Sequence, residues 1–373
     1  MKIALTHPFC WPYVRRGSER FIAELAQYLT RRGHEVVTVS GKPGASTVEE
    51  TAGGRRILHR YRWHPALGRL RVSPGHTFVP ALTWSLARLR PEVVHSLAFL
   101  DAWAANQMRR LKGFRTVYQV TGPVVPEWFP RIPPDRFVLR RAIRGADRCV
   151  THSEFTAEIV RRNYAVEPAV IPVPVDVDAF TPKESCPAGR PIILCMAAFD
   201  EPRKGLRVLV DAFALLKRDL PDAVLRLSGR LPEKVRREVV DQLPEAVGRG
   251  IEALGTGAVS ELPRLYREAS VTVVPSMWEA YGMAVVESWA CGTPVVTTNH
   301  GGLPELVRDG RLGVTFDPLT GAQETRNASG LASAIVKALA LARDPATSGR
   351  CRAQAEQFSW DRLGPRYEAL YAS

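Results

Sequence analysis

This sequence predicts an α/β protein built of two Rossmann-like, doubly wound domains, and three observations predict it. The chain opens on a short apolar run, an amphipathic stretch and a second apolar run, the order in which a parallel sheet starts. The same alternation begins again after residue 191 and continues to Asp317. Between the two lies Val170–Phe180 (VIPVPVDVDAF), whose prolines cannot all sit in an interior strand, followed by the linker Pro182–Pro191 (PKESCPAGRP). With 373 residues, 45% of them hydrophobic, the chain can bury two cores, so the first domain is expected over 1–180 and the second over 181–357.

In chain order, Lys2–Thr6 (KIALT) is the first strand. Its apolar segment is too short for the core of a signal peptide. A loop over 7–18 follows, then Glu19–Arg31, where Phe21, Ile22, Leu25 and Leu29 recur at helical spacing and mark a buried face. Gly33 stops that helix and Val36–Ser40 is the second strand. Residues 41–80 mix prolines, glycines and arginines (Arg55, Arg56, Arg60, Arg62, Arg69, Arg71) with Tyr61 and Trp63 and suggest an acceptor-side or membrane-facing region without clear periodicity. Pro91–Ser96 and Thr116–Thr121 are β-branched runs suited to buried strands; they place His95 and Thr121 at strand ends. Arg136–Ala146 is a basic helix, and Cys149–Ser153 is a strand that presents His152, Ser153 and Glu154 before a helix over Thr156–Asn163.

The second half opens with the strand Ile192–Ala197, a loop carrying Arg203, Lys204 and Gly205, and a helix over Val208–Lys217. Ala223–Gly229 and Ile251–Gly255 follow as strands, with a charged helical stretch between them. Val271–Pro275 ends at a proline, Met283–Cys291 is a helix stopped by Gly292-Thr-Pro, and Val295–Thr298 is the next strand. Gly301-Gly302 then turns into Leu303-Pro304, a first-turn proline. Helices are expected over Leu331–Leu341 and from Phe358 through Tyr371.

Two glutamates stand out. Glu279 lies in the loop at the carboxyl end of a strand and Glu287 about one turn inside the following helix, the edge at which open α/β sheets bind ligands. A carboxylate there can accept hydrogen bonds from two neighbouring hydroxyls, the chemistry of sugar recognition; two of them could grip two sugars of one nucleotide sugar. Taken alone, the pair is equally a solvated loop residue and a helix-surface charge. The pattern Glu279-x-x-Gly282-x-x-x-x-Glu287, with Gly292-Thr-Pro-Val-Val and Gly301-Gly-Leu-Pro-Glu305, resembles the donor-binding signature of retaining glycosyltransferase family 4, whose fold is the two-domain GT-B type with a cleft between the domains.

That resemblance extends to Arg203-Lys204-Gly205, which matches the family's diphosphate-binding pair, and to Gly17-Ser18, which matches its glycine-rich loop with Ser18 in place of the usual second glycine. It implies that Arg203, Lys204 and Glu279 are catalytic and that Gly17, Ser18, Tyr281, Gly282, Met283 and Glu287 contact the donor. It further implies that the last helix, 358–373, crosses back to brace the first domain. Where relatives often carry a histidine near the reacting carbon, this chain has Thr121, so His95, Thr121 and His152 are the acceptor-side candidates. The implied activity is transfer of a hexosyl group from a UDP- or GDP-sugar to an acceptor such as a lipid-linked glycan precursor, with retention. Without an Asp-x-Asp motif at a strand end, neither metal nor other cofactor is expected. A nucleotide-sugar epimerase or hydrolase, or a non-catalytic sugar-nucleotide binder, is the alternative.

Charge is the unusual bulk property, at a formal +13. Residues 1–180 hold 27 Lys+Arg against 15 Asp+Glu, net +12, and residues 181–373 hold 24 against 23, net +1. Such a basic half can meet nucleic acid, an anionic membrane or an anionic substrate, or it can be arginine-rich surface and nothing more. No nucleic-acid-binding module is present in the pattern, so nucleic acid is not expected, whereas Trp63, Trp84 and Trp103 among the arginines favour contact with an anionic membrane. Six scattered cysteines signal neither a zinc site nor a disulfide framework, and Asn327-Ala-Ser is expected to be a polar loop. Together these suggest a cytoplasmic protein at or near the inner face of the membrane.

Overall fold

The computed structural model describes residues 1–61, 67, 72–122, 124–125, 133–182, 189–257, 259–320 and 325–373. The chain divides into two compact units, Met1–Val173 with Asp361–Ser373, and Pro174–Trp360.

The first unit is built on an eight-stranded sheet of β1 (Lys2–His7), β2 (Glu35–Lys42), β3 (Thr47–Thr51), β4 (Gly54–Arg60), β5 (Val93–Ser96), β6 (Arg115–Val120), β7 (Arg148–Thr151) and β8 (Ala169–Val170). Their order is β3-β4-β2-β1-β5-β6-β7-β8, and every pairing is parallel except β3 with β4. The interior strands are buried almost end to end, which is why they are runs of Val, Ile and Leu without alternation. The β3–β4 hairpin lies in the stretch without clear periodicity, because an exposed edge needs no apolar face: Glu49 and Glu50 pair in register with Arg56 and Arg55.

Helices α1 (Gly17–Arg31), α2 (Pro74–Leu89), α3 (Phe99–Lys112), α4 (Pro133–Gly145) and α5 (Glu154–Tyr164) cover the sheet. Phe21, Ile22, Leu25 and Leu29 are the buried face of α1, as their spacing predicts. A separate cluster packs Phe78, Leu82 and Leu86 of α2 and Ala105 and Met108 of α3 on Ala4, Val37, Val39 and Val94. Trp103 is half-buried, packed between this cluster and that of Leu139 and Ile143, and so is less available to a surface partner than Trp84. Trp63, Arg62, Arg69 and Arg71 lie outside the described residues.

The second unit carries a six-stranded parallel sheet of β9 (Ile192–Met196), β10 (Val224–Ser228), β11 (Ile251–Gly255), β12 (Val271–Val274), β13 (Val295–Thr298) and β14 (Gly313–Phe316), in the order β11-β10-β9-β12-β13-β14. Its helices include α6 (Leu206–Asp219), α7 (Met283–Ala290), α8 (Ala328–Arg343) and α9 (Pro345–Glu356). The core joins Leu209, Phe213 and Leu216 of α6 to Ile335 and Ala338 of α8 over Ile193, Leu225 and Val273. Asn327 caps α8, its Oδ1 accepting from the Gly330 amide at 2.8 Å, which is the reason for an Asn-x-Ser at that point.

The unit boundary expected after Phe180 lies at Val173/Pro174 instead. The intervening segment is tied to the second unit: the Val175 amide donates to the Phe358 carbonyl at 2.8 Å, and Arg352 donates to the carbonyls of Val177 and Phe180, each at 2.8 Å. The linker residues 183–188 fall outside the described residues. The last helix, α10 (Trp360–Ala372), belongs from Asp361 onward to the first unit, where Tyr367 and Tyr371 are fully buried.

Candidate functional site

Strand order locates the site before any side chain is considered. In the second sheet the chain leaves β9 toward β10 and β11 on one side, while β12, β13 and β14 lie on the other. β9 and β12 thus flank the topological switch point, where the loops beyond the carboxyl ends of the strands diverge and leave a crevice. Arg203 and Lys204 sit in the loop after β9, in a 3₁₀ turn over Pro202–Lys204, and Glu279 sits in the loop after β12.

Two glycines allow these loops to meet. Gly205 has φ +75°, and a Cβ on it would come within 2.0 Å of the Pro275 carbonyl oxygen, so no other residue can close the β9 loop against the end of β12. Gly301 has φ +71°, and its Cβ would meet the Glu279 carbonyl oxygen at 2.4 Å. The amide of Gly302 donates to that same carbonyl at 2.8 Å, and the Met277 amide donates to the Arg203 carbonyl at 2.7 Å. Glu279 is therefore held by its backbone from the β13 side while its carboxylate meets the β9 loop.

Its Oε1 accepts from Lys204 Nζ at 2.5 Å and from Ser276 Oγ at 2.8 Å, and Arg203 lies 3.7 Å from Oε2. Arg203 also pairs with Glu201 at 2.6 Å, and its guanidinium stacks over the Trp278 ring at 4.8 Å. Lys204 and Glu279 are each 17% exposed, whereas Glu201 is 38% exposed. The group has two cations and two carboxylates, of which Glu201 is the more exposed. A surface ion pair of this kind contributes at most about 1 kcal/mol, so an incoming anion can take the Arg203 fork from Glu201.

Glu287 is in the second turn of α7 and 5% exposed, with the Tyr266 hydroxyl donating to its Oε2 at 2.7 Å. Gly282 is the N-cap of α7 and Met283 its first residue, both half-buried. Tyr281 turns inward, 5% exposed, with its ring edge-on to Phe358. Ser276 and Tyr266 are the members that sequence reasoning missed. Ser276 had a signal, a hydroxyl directly after the strand-ending Pro275; Tyr266, 21 residues before Glu287, had none.

In the first unit, Gly17 begins α1 and is exposed, and the Ser18 hydroxyl donates to Glu19 Oε2 at 3.0 Å. Thr121 is half-buried just beyond β6. His95 and His152, the acceptor-side candidates, are both buried. His95 is fully buried and its Nδ1 is 2.7 Å from the Tyr371 hydroxyl, while His152 Nδ1 is 3.1 Å from the Ile171 carbonyl. Burial pushes His95 down to about 3, helped by His152, and pushes His152 down to about 4, so both rings are neutral core groups. They end strands, but α10 and α1 cover them.

Among the described residues no cluster of His, Cys, Asp or Glu is arranged to hold a metal ion, five cysteines are free and buried, and no helix is long and apolar enough to cross a membrane. Cys186 lies outside the described residues.

Comparison with known proteins shows the family and the fold. The family described as "Glycosyl transferases group 1" matches residues 190–340, and "Glycosyltransferase Family 4" matches residues 15–179. A D-inositol 3-phosphate glycosyltransferase of Pseudarthrobacter chlorophenolicus is 32% identical over 93% of this chain and 87% of its own length. Among solved structures, sucrose-phosphate synthase from Thermosynechococcus elongatus superposes with a TM-score of 0.82 at 24% identity, covering 99% of this chain and 98% of that one. HepE from Anabaena, in complex with UDP and glucose, gives 0.75 at 18% identity and covers both chains fully.

Proposed function

We propose, for a chain that belongs to glycosyltransferase family 4, the group 1 glycosyltransferases of GT-B fold, that the Arg203–Lys204–Glu279 group is where a nucleotide-sugar donor is held and broken. The chain is a glycosyltransferase that uses a nucleotide-sugar donor. The observation that carries the finer reading is the convergence of Lys204, Ser276 and Arg203 on the Glu279 carboxylate at the switch point of the second sheet. Arg203 and Lys204 face the diphosphate and stabilise the charge left on it as the sugar departs. Glu279 accepts from a hydroxyl of the transferred hexose, and Glu287, with Tyr266 behind it, accepts from the nucleotide ribose.

Transfer then proceeds with retention, the acceptor hydroxyl attacking the face that the diphosphate leaves and the departing phosphate taking the proton. Two fixed cations supply the charge that a divalent ion would otherwise supply, so transfer should survive chelation. Loss of activity with a chelator, restored by magnesium or manganese alone, would show that the two side chains do not carry that charge. The name of the Pseudarthrobacter relative supports a polyol phosphate as one acceptor class to assay first.

The two glutamates divide the donor between them, and the division can be measured. Glu279→Gln should slow transfer on the order of 100-fold, because a sugar displaced by about 1 Å costs that much, and should leave binding of the nucleoside diphosphate nearly unchanged. Glu287→Gln should raise the dissociation constant of the nucleoside diphosphate by roughly 10- to 150-fold, the loss of a charged hydrogen bond of about 1.5–3 kcal/mol. Calorimetry with UDP and GDP on the two variants decides it, and equal weakening of both would overturn the assignment.

A further inference from the structure

Helix α4 (Pro133–Gly145) is amphipathic in an unusual sense: what it shows to solvent is a stripe of arginines around one phenylalanine. At 100° per residue, Arg136, Phe137, Arg140, Arg141 and Arg144 fall within an arc of about 140°, and all five are exposed. The opposite arc carries Leu139, Ala142 and Ile143, which are at most 1% exposed. The one acid of the helix, Asp135, is turned inward to His76, 3.0 Å away, and leaves no negative charge on the outer face.

Phe137 is 60% exposed, with Arg141 stacked over its ring at 5.0 Å. Among the described residues neither Arg140 nor Arg141 has an ion-pair partner. Several arginines elsewhere are matched locally: Arg161 with Glu154 and Glu167, Arg226 with Glu252 and Glu268, Arg249 with Glu245, Arg311 with Asp309. On α2 a second exposed aromatic, Trp84 at 54%, carries Arg88 over its ring at 3.9 Å.

We infer that the outer face of α4 is a docking surface for an anionic lipid bilayer. Arg140 and Arg141, without ion-pair partners among the described residues, are attracted to acidic headgroups, and the aromatic ring of Phe137 beside them gains by entering the headgroup boundary, a step that no neutral or purely polar partner rewards. The +12 charge of residues 1–180 draws the same unit toward such a surface from a distance. The inference rests on the first unit's surface alone, and it stands or fails apart from the reading of the donor site.

The test is sedimentation of the full chain with vesicles of phosphatidylglycerol and phosphatidylcholine, against phosphatidylcholine alone. Binding is expected to the anionic vesicles only and to fade between about 0.1 M and 1 M salt, as the screening length shortens from about 10 Å to about 3 Å. Arg140→Ala with Arg141→Ala should lower the anionic-vesicle partition coefficient about 30-fold, from the usual gain per basic residue at such a surface. Phe137→Ser should lower it about 10-fold. The control pair Arg237→Ala with Arg249→Ala, which removes the same charge from the second unit, should change it by less than about threefold. Unchanged calorimetric binding of UDP or GDP and an unchanged melting temperature show that the α4 variants are folded. Equal loss from the control pair, equal binding to neutral vesicles, or preference for a single-stranded nucleic acid over the anionic vesicles overturns the inference.

Discussion

Lys204→Ala should lower the rate of sugar transfer by about 10²–10³-fold, the usual cost of removing one preorganised group that faces charge developing in the transition state. The geometry makes this more than the loss of one cation. Lys204 Nζ is 2.5 Å from the Glu279 oxygen that also takes the Ser276 hydroxyl, so in the proposed function one ammonium both faces the diphosphate and orients the carboxylate that holds the sugar. Removing it leaves Glu279 with Ser276 and the more distant Arg203, at 3.7 Å. The double variant Lys204→Ala with Glu279→Gln should therefore lose far less than the product of the two single losses, since residues acting as one unit are not additive. Pre-steady-state transfer rates for the wild type, both singles and the double close the cycle. Losses that simply multiply would mean that Lys204 and Glu279 act independently.

The second large effect lies in the first unit, at Asp101. This side chain is fully buried beside the carboxyl ends of β1 and β5, and among the described residues neither of its oxygens has a hydrogen-bond partner; the Thr6 hydroxyl, close enough to favour the charged carboxylate a little, donates to Ser96 at 2.9 Å. Burial pushes its carboxyl up to about 8, so in the folded chain Asp101 is a neutral acid below that pH. Between 3.8 and about 8 the folded state holds a proton that the unfolded state has released, and stability falls as pH rises through that window, at about 1.36 kcal/mol per pH unit.

Asp101→Asn removes this slope. Relative to the wild type, the variant should gain about 4 kcal/mol between pH 5 and pH 8, whatever the constant offset between the two side chains. His95 and His152 act with the opposite sign. Their folded values, about 3 and about 4, lie below the usual 6.5, so the stability they allow is full above 6.5 and is lost as pH falls below it. That term is common to both proteins and cancels in the difference. Denaturant unfolding at pH 5, 6, 7 and 8, followed by a signal from the first unit, measures it, and parallel curves would show that Asp101 is charged or partnered in the fold.

Much of the second unit was legible because its signals are local. VTVVP, MAVVESWAC and VVTT are strand, helix and strand in the structure as in the sequence, since a buried parallel strand needs an apolar run and a helix needs a stop such as Gly292-Thr-Pro. Arg203-Lys204-Gly205 and Glu279 were legible for the same reason: each sits in a short loop whose place after a strand can be read from its own neighbours. The first unit was less legible where elements are held from outside. The β3–β4 hairpin is half-exposed and charged, and its strands are recognisable only by their pairing with each other and with β2.

The sequence by itself determined the parallel strands, the amphipathic face of α1, the loop positions of Arg203, Lys204 and Glu279, and the excess of positive charge in the first half, because each is a property of residues close together in the chain. Only the tertiary structure decided which of the candidates share one carboxylate, that Tyr266 stands behind Glu287, that Tyr281 is buried and Trp103 half-buried, and that His95 and His152 are sealed and neutral beneath α10 and α1. Those outcomes depend on contacts between segments up to 276 residues apart, as between His95 and Tyr371, and a strand end that looks exposed in the sequence is buried when a distant helix returns to cover it. Composition located the charge, but only the packing of α4 showed that its arginines lie on one face and that its single acid faces inward.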